Sequence, residues 1–83
     1  MLKLKNITLN NGIIEADYFP ESETELFAHA SYNPISGEGD YGKVKGYEFG
    51  YAGMAVQGLK RTIDELNNHE ISELPKERLV MWY

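Results

Sequence analysis

The longest periodic segment of the chain runs from Ala52 to Asn68, where apolar residues recur at steps of three and four. The apolar positions are Ala52, Ala55, Val56, Leu59, Ile63 and Leu66, and the opposite side carries Gln57, Lys60, Arg61, Asp64 and Glu65. This spacing predicts one amphipathic helix. Because such a helix must bury its apolar stripe, we expect the other segments to form a flat surface beneath it.

Alternating apolar and polar residues predict strands in the rest of the chain. The predicted strands are Leu2–Leu9, Ile13–Phe19, Leu26–Tyr32, Lys43–Tyr51 and Leu79–Tyr83. Asn10-Asn11-Gly12 predicts a tight hairpin between the first two, since Asn and Gly accept positive φ angles. Ile7 and Leu9 are out of phase with Leu2 and Leu4, which predicts a bulge near Lys5-Asn6.

Two segments of the central part do not have a simple alternating pattern. Residues Glu23 to Ser31 also tolerate a helix, but the abrupt end at Tyr32-Asn33-Pro34 favours the strand that begins at Leu26. Asn33 to Gly42 is rich in glycine and predicts a mobile loop. The predicted fold is therefore α+β, with a small and mostly antiparallel sheet of four to five strands and one helix packed on one face.

Length, charge and composition narrow the functional classes. At 83 residues the chain predicts a single domain spanning residues 1–83. The formal net charge of −5 disfavours direct binding to nucleic acid or to anionic membranes. The chain contains no cysteine, which excludes disulfides and thiolate chemistry. A start without a signal sequence and the absence of a long apolar run lead us to expect a cytoplasmic protein.

The segment Gly37-Glu38-Gly39-Asp40-Tyr41-Gly42 matches the pattern G-x-G-x-x-G of dinucleotide-binding proteins. That pattern binds pyrophosphate only between a strand and a helix, whereas here another strand is predicted to follow. We therefore interpret the segment as a flexible turn. The alternative is a small-molecule or nucleotide site in the loop from Gly37 to Lys43, with Asp40, Tyr41 and Lys43 as its polar groups.

Catalytic and metal-binding residues do not form a recognisable set in the sequence. His29 and His69 are far apart, and a metal site would need carboxylates such as Asp17 or Glu48. The serines lack the surroundings of a catalytic nucleophile. We therefore predict a protein without enzymatic activity, without a metal and without a cofactor.

Aromatic and acidic residues give the clearest functional indication. Phe19 and Phe27 fall on strand faces that the pattern assigns to solvent, and Trp82 is close to the last residue, so all three are candidate interface residues. Five acidic residues complete the candidate protein-binding set: Glu21, Glu23, Glu25, Glu38 and Asp40. An exposed strand edge would also suit a homodimer.

Both ends of the chain resemble a set of small uncharacterised bacterial proteins. The similarity lies in Leu2–Asn6, Gly12–Glu21, Glu73–Arg78 and Val80–Tyr83. It implies an origin in a Gram-positive bacterium or a mobile element, but it implies no activity. The predicted function is a non-catalytic, cytoplasmic protein-interaction module. A sharper hypothesis is an inhibitor from a mobile element that covers the basic groove of a host nucleic-acid enzyme.

Overall fold

The computed structural model describes residues 2–20, 25–47 and 50–80. These residues form the strands β1 (Leu2–Asn10), β2 (Ile13–Phe19), β3 (Ala28–Asn33), β4 (Glu38–Tyr41) and β5 (Glu77–Val80), and the helix α1 (Tyr51–Asn67). The strands make one antiparallel sheet in the order β4-β3-β2-β1-β5. This architecture confirms the predicted α+β fold.

The β1–β2 hairpin has the predicted turn and the predicted bulge. Asn11 and Gly12 have φ angles of 53° and 83°, the positive values that a two-residue hairpin turn requires. The register shifts between Lys5 and Thr8, where Asn6 has a φ of 55°. The bulge brings Ile7 to the same side as Leu2 and Leu4, and all three side chains are buried.

The third predicted strand is confirmed in type, although it begins later than expected. β3 starts at Ala28, so Ala28 to Ser31 are strand and the alternative helix is wrong for these residues. Leu26, the first residue of the predicted strand, instead precedes β3, and its side chain is 52% exposed.

The prediction of a mobile loop from Asn33 to Gly42 is wrong for Glu38–Tyr41, because these four residues form the strand β4. The chain reverses at once after β3 because the side chain of Asn33 stabilises the turn. Its Oδ1 atom accepts hydrogen bonds from the amides of Ile35 and Ser36 at 2.9 Å and 3.3 Å. Glu38 to Tyr41 can then pair with β3 as the edge strand.

The predicted strand from Lys43 to Tyr51 is wrong in its described part. The amide of Tyr47 donates a hydrogen bond to the carbonyl of Val44, which closes a turn. Gly46 and Gly50 have φ angles of 87° and 83°, and these left-handed conformations interrupt a strand. Tyr51 is the first residue of α1, and its ring meets that of Tyr47 edge to face at 5.5 Å.

Helix α1 is one residue earlier at each end than predicted and buries most of the expected stripe, while Val56 and Leu66 are only partly buried. Ala52, Ala55, Leu59 and Ile63 are buried against the sheet. The sheet contributes Leu2, Leu4, Ile7, Ile14, Ala16, Tyr18 and Ala30 to the same core. We call this side of the sheet the covered face. Because side chains alternate along β2, Ile14, Ala16 and Tyr18 all point to the covered face.

The predicted terminal strand is confirmed for Leu79 and Val80, which lie in β5. This strand begins earlier than predicted, at Glu77, and pairs with β1, where Val80 lies opposite Leu2. The remaining predicted strand residues, Met81, Trp82 and Tyr83, are outside the described residues.

Candidate interaction surface

The side of the sheet opposite α1 carries the candidate site, and we call it the open face. Because side chains alternate along a strand, each residue between two buried ones points to this side. In residues 2–20, 25–47 and 50–80, no helix or second sheet lies over it. The strand registers then determine which of its side chains are neighbours.

Apolar side chains occupy one end of the open face, which we call the aromatic end and define as Phe19, Phe27 and Leu79. The rings of Phe19 and Phe27 are stacked, with centroids 5.1 Å apart and an interplanar angle of 26°. Phe27 is 57% exposed and Leu79 is 51% exposed. The Nζ atom of Lys5 lies 4.9 Å from the centroid of Phe19, within range of a cation–π contact. The aromatic end is thus a partly apolar surface that is accessible to solvent, and in the strand pairing Lys3 lies between Phe19 and Leu79.

A histidine between two carboxylates lies at the centre of the open face. The Nε2 atom of His29 is 3.1 Å from Glu15, and its Nδ1 atom is 3.4 Å from Asp17. Asn6 donates a hydrogen bond to the second oxygen of Asp17 at 3.0 Å, and the bulge places Asn6 there. The hydrogen bond with Glu15 raises the pKa of His29 above its ordinary value of 6.5. Asp17 acts in the same direction, while partial burial opposes both.

This central arrangement is an ion-pair network rather than a metal site. The two carboxylates lie at different ring nitrogens of His29, so the three groups do not converge on one point. Within the described part of the chain, no group of three or more His, Cys, Asp and Glu residues could hold a metal ion. Asp17, one of the carboxylates that a metal site would have needed, instead forms a hydrogen-bonded pair with His29.

The edge strand β4 adds two carboxylates, those of Glu38 and Asp40, and both residues are exposed. Asp40 lies opposite Ser31 on β3, which in turn lies opposite Glu15 on β2. A shallow depression of about 220 Å³ lies at this edge, lined by His29, Ser31, Asp40, Tyr41 and Gly42. Lys43, the third residue of the alternative ligand site, is exposed beyond the end of β4.

A second depression, of about 290 Å³, lies on the solvent side of α1 and contains none of the predicted site residues. It is lined by Gln57, Lys60, Arg61, Asp64, Glu65 and Glu70. Arg78 on β5 binds both carboxylate oxygens of Glu65 and also donates to the Thr62 hydroxyl. These contacts attach β5 to α1, so we assign a structural role to the Glu65–Arg78 pair.

The structure brings part of the predicted protein-binding set together. Phe19 and Phe27 meet at the aromatic end, while Glu38 and Asp40 lie on the edge strand. Glu25 is exposed shortly before β3. Glu21, Glu23 and Trp82 are outside the described residues.

Sequence reasoning missed the polar centre and the lysines beside it. Glu15 and Asp17 alternate on β2, which marks a solvent-facing side, but only the register of β3 places His29 between them. Lys3 and Lys5 likewise join this face through the pairing of β1 with β2. The missing signal was therefore the register between β2 and β3, which no tight turn fixes because β2 ends at Phe19 and β3 begins only at Ala28.

Comparison of the chain with protein-family models, with curated proteins and with solved structures gives no match. Among the described residues, α1 is too short and too polar to cross a membrane.

Proposed function

We propose that the protein is a non-catalytic interaction module that binds a partner protein through its open face. The observation that carries the proposal is the uncovered side of a five-stranded sheet in the described part of the chain. This side combines stacked aromatic rings at one end with carboxylates at its centre and edge. Aromatic anchors surrounded by polar groups are typical of protein interfaces.

The aromatic end would supply most of the binding free energy. Phe27 and Leu79 still expose 57% and 51% of their surfaces, and a partner would remove this area from water. Each side chain that becomes fully buried contributes about 1–2 kcal/mol. The rings of Phe19 and Phe27 are already stacked without a partner. Binding would therefore cost little conformational entropy at these two side chains.

The charges of the open face favour a basic partner. Its carboxylates belong to Glu15, Asp17, Glu38, Asp40 and Glu77, whereas its lysines are Lys3 and Lys5. Lys3 is already paired with Glu77 at 3.2 Å. A surface rich in Arg and Lys, such as the groove of a nucleic-acid enzyme, would be complementary. We therefore retain, as part of the proposal, a cytoplasmic inhibitor of mobile-element origin that covers such a groove.

The surroundings of His29 support a non-catalytic role. Its two ring nitrogens face Glu15 and Asp17, so neither is directed at a space where a substrate could lie. The neighbouring depression of about 220 Å³ is also smaller than most ligand sites, which measure roughly 300–1,000 Å³.

Affinity capture from a cell extract tests the proposal. The immobilised protein should retain a basic protein, and the double variant Phe27→Ala/Asp40→Asn should lose it. A matched double variant on the helix side, Met54→Ala/Asp64→Asn, should retain it. If all three baits capture the same proteins in equal amounts, the open face is not the binding surface and the proposal is wrong.

The second candidate function is binding of a small molecule at Asp40, Tyr41 and Lys43. The observation that favours it is the depression beside β4, which includes Asp40 and Tyr41. A bound ligand raises the melting temperature, because it stabilises the folded state only. Nucleotides and common metabolites that leave the melting temperature unchanged would count against this candidate.

A further inference from the structure

We propose that a proton on His29 and a basic group of a partner compete for the same two carboxylates, those of Glu15 and Asp17. The open face therefore binds a basic partner more weakly in a slightly acidic solution than in a slightly alkaline one. This pH dependence rests on the proposed function, because it acts on the same surface.

The His29 ring can donate to both carboxylates only when it is protonated. A neutral imidazole has one N–H donor and one nitrogen that can only accept, whereas the protonated ring has two donors. The Nε2 atom lies 3.1 Å from Oε1 of Glu15, and the Nδ1 atom lies 3.4 Å from Oδ1 of Asp17. When the ring is neutral, one carboxylate faces a lone pair instead of a donor. A cationic group from outside can then take the place of the missing proton.

The three side chains are accessible to a partner in the folded protein. The side chain of His29 is 57% exposed, and those of Glu15 and Asp17 are 34% and 26% exposed. They lie at the centre of the open face, between the aromatic end and the edge strand β4. A lysine or arginine side chain that approaches this centre would meet the same oxygens that the ring binds.

The charged groups on the other side of Asp17 belong to β1. Lys5 lies opposite Asp17, but its Nζ atom is placed over the ring of Phe19, 4.9 Å from the centroid. Helix α1 packs on the covered face, so the sheet separates its charged side chains from His29. Glu15 and Asp17 are therefore the groups that the proton and the partner would share.

The strand β4 brings one more carboxylate to this side of the sheet. Asp40 lines the same depression as His29. Tyr41 lies opposite the buried Ala30, so alternation directs its side chain to the covered face. Lys43 is exposed beyond the end of the strand. Asp40 would attract a basic partner at any pH at which it is ionised, whereas the contribution of Glu15 and Asp17 changes with the ring.

A proton and a cation that share two carboxylates weaken each other's binding by the same factor. The hydrogen bond with Glu15 is the largest cause of the raised pKa of His29, and partial burial opposes it. The ring is therefore charged below this raised value and neutral above it, so the affinity for a cation increases as the pH rises through it. Exposed ion pairs are weak, and the expected factor is about two to five.

Nuclear magnetic resonance with a tetra-arginine peptide that has blocked ends tests the competition at constant ionic strength. The peptide should lower the midpoint of the His29 titration by about 0.3–0.7 pH units. It should change the midpoint of His69 by less, since His69 is exposed after the end of α1. An unchanged His29 midpoint at the highest soluble peptide concentration would overturn the proposal. Equal shifts of both histidines would also overturn it, because they would indicate a general effect of charge.

The variant His29→Gln removes the titration but keeps a side chain that can form hydrogen bonds. Isothermal titration calorimetry should show that the natural protein binds the peptide about two- to fivefold more weakly at about pH 6 than at about pH 8, where the carboxylates stay ionised. His29→Gln should bind it equally at both values, and the matched control His69→Gln should behave like the natural protein.

Circular dichroism checks that each variant is folded, and His29→Asn replaces His29→Gln if that variant is not. The same pH dependence in the natural protein and in the folded variant at position 29 would contradict the competition. These measurements need no partner from the cell, so their failure is distinct from failure of the capture experiment. The capture experiment alone decides whether the open face binds a protein.

Discussion

The covered face and the open face are built from alternate residues of the same strands, yet they differ in packing and chemistry. On β2 the covered face has Ile14, Ala16 and Tyr18, whose side chains are fully buried. The open face has Glu15, Asp17 and Phe19, which remain partly accessible. Alternation therefore gives one short strand two different sides: one is buried in the core, and the other remains partly accessible to solvent.

The two faces should differ most in how much the free energy of unfolding falls when a leucine is replaced by alanine. Leu4 on the covered face is fully buried, whereas Leu79 on the open face is 51% exposed. Leu4→Ala should lower the free energy of unfolding by about 3 kcal/mol, because it leaves a cavity beneath α1. Leu79→Ala should lower it by less than about 1 kcal/mol. Urea unfolding measures both, and equal losses would show that the faces are packed alike.

The same substitution at two glycines of α1 compares a position packed against the covered face with a position exposed to solvent. A Cβ atom at Gly58 would lie 2.6 Å from Cγ2 of Val80 and 3.2 Å from Cδ1 of Leu4, whereas one at Gly53 would have no neighbour within 4 Å. Gly58→Ala should therefore destabilise the protein by about 1–2 kcal/mol through overpacking. Gly53→Ala should stabilise it by about 0.5–1 kcal/mol, since alanine is the better helix former. Thermal unfolding of the two variants should show shifts of opposite sign.

The covered face was largely predictable from sequence, whereas for the open face only the outward direction of residues such as Phe19 and Phe27 was predictable. The helix stripe, the strand β2 and the Asn11-Gly12 turn follow from local periodicity and turn chemistry. The short strand β4 was missed because its glycine-rich sequence lacks a strand pattern, and the side chain of Asn33 determines the reversal that allows it to pair. The position of His29 between Glu15 and Asp17 depends on cross-strand register, which no local window contains.

The ion pair between Glu65 and Arg78 should affect stability on the helix side. Arg78 holds the pKa of Glu65 below its ordinary value of 4.5. A lowered carboxyl pKa stabilises the fold fully above the ordinary value, and this contribution is lost as the pH falls through the lowered one. Glu65→Gln should therefore cost about 1 kcal/mol at pH 7, and the difference from the natural protein should shrink as the pH falls below about 4.5.

Glu70→Gln is the control for this ion pair, because Glu70 is exposed near the end of α1. Denaturant unfolding at a series of pH values measures both variants. A Glu65→Gln effect that stays constant down to the acid limit would contradict the assignment of the stabilisation to the ionised carboxylate.

The smallest expected effect concerns His29 on the open face. Glu15, with help from Asp17, raises the pKa of His29 above 6.5, so the protonated ring stabilises the folded state. This contribution is fully present below about pH 6.5, provided that the carboxylates are ionised, and it is lost as the pH rises through the raised value. Since the His29 side chain is 57% exposed, solvent screening should limit the contribution to a few tenths of a kcal/mol.

Nuclear magnetic resonance can test this small effect, because it measures the midpoint of the His29 titration directly and does not rely on the free energy of unfolding. The His29 ring should titrate above pH 6.5 in the natural protein, and Glu15→Gln should lower the midpoint because it removes the principal carboxylate partner. Thr8→Val is a suitable control, since Thr8 lies opposite Glu15 on β1 but carries no charge. An unchanged midpoint in Glu15→Gln would mean that Asp17 alone sets the charge of the ring. The centre of the open face would then be a simple ion pair rather than a histidine shared by two carboxylates.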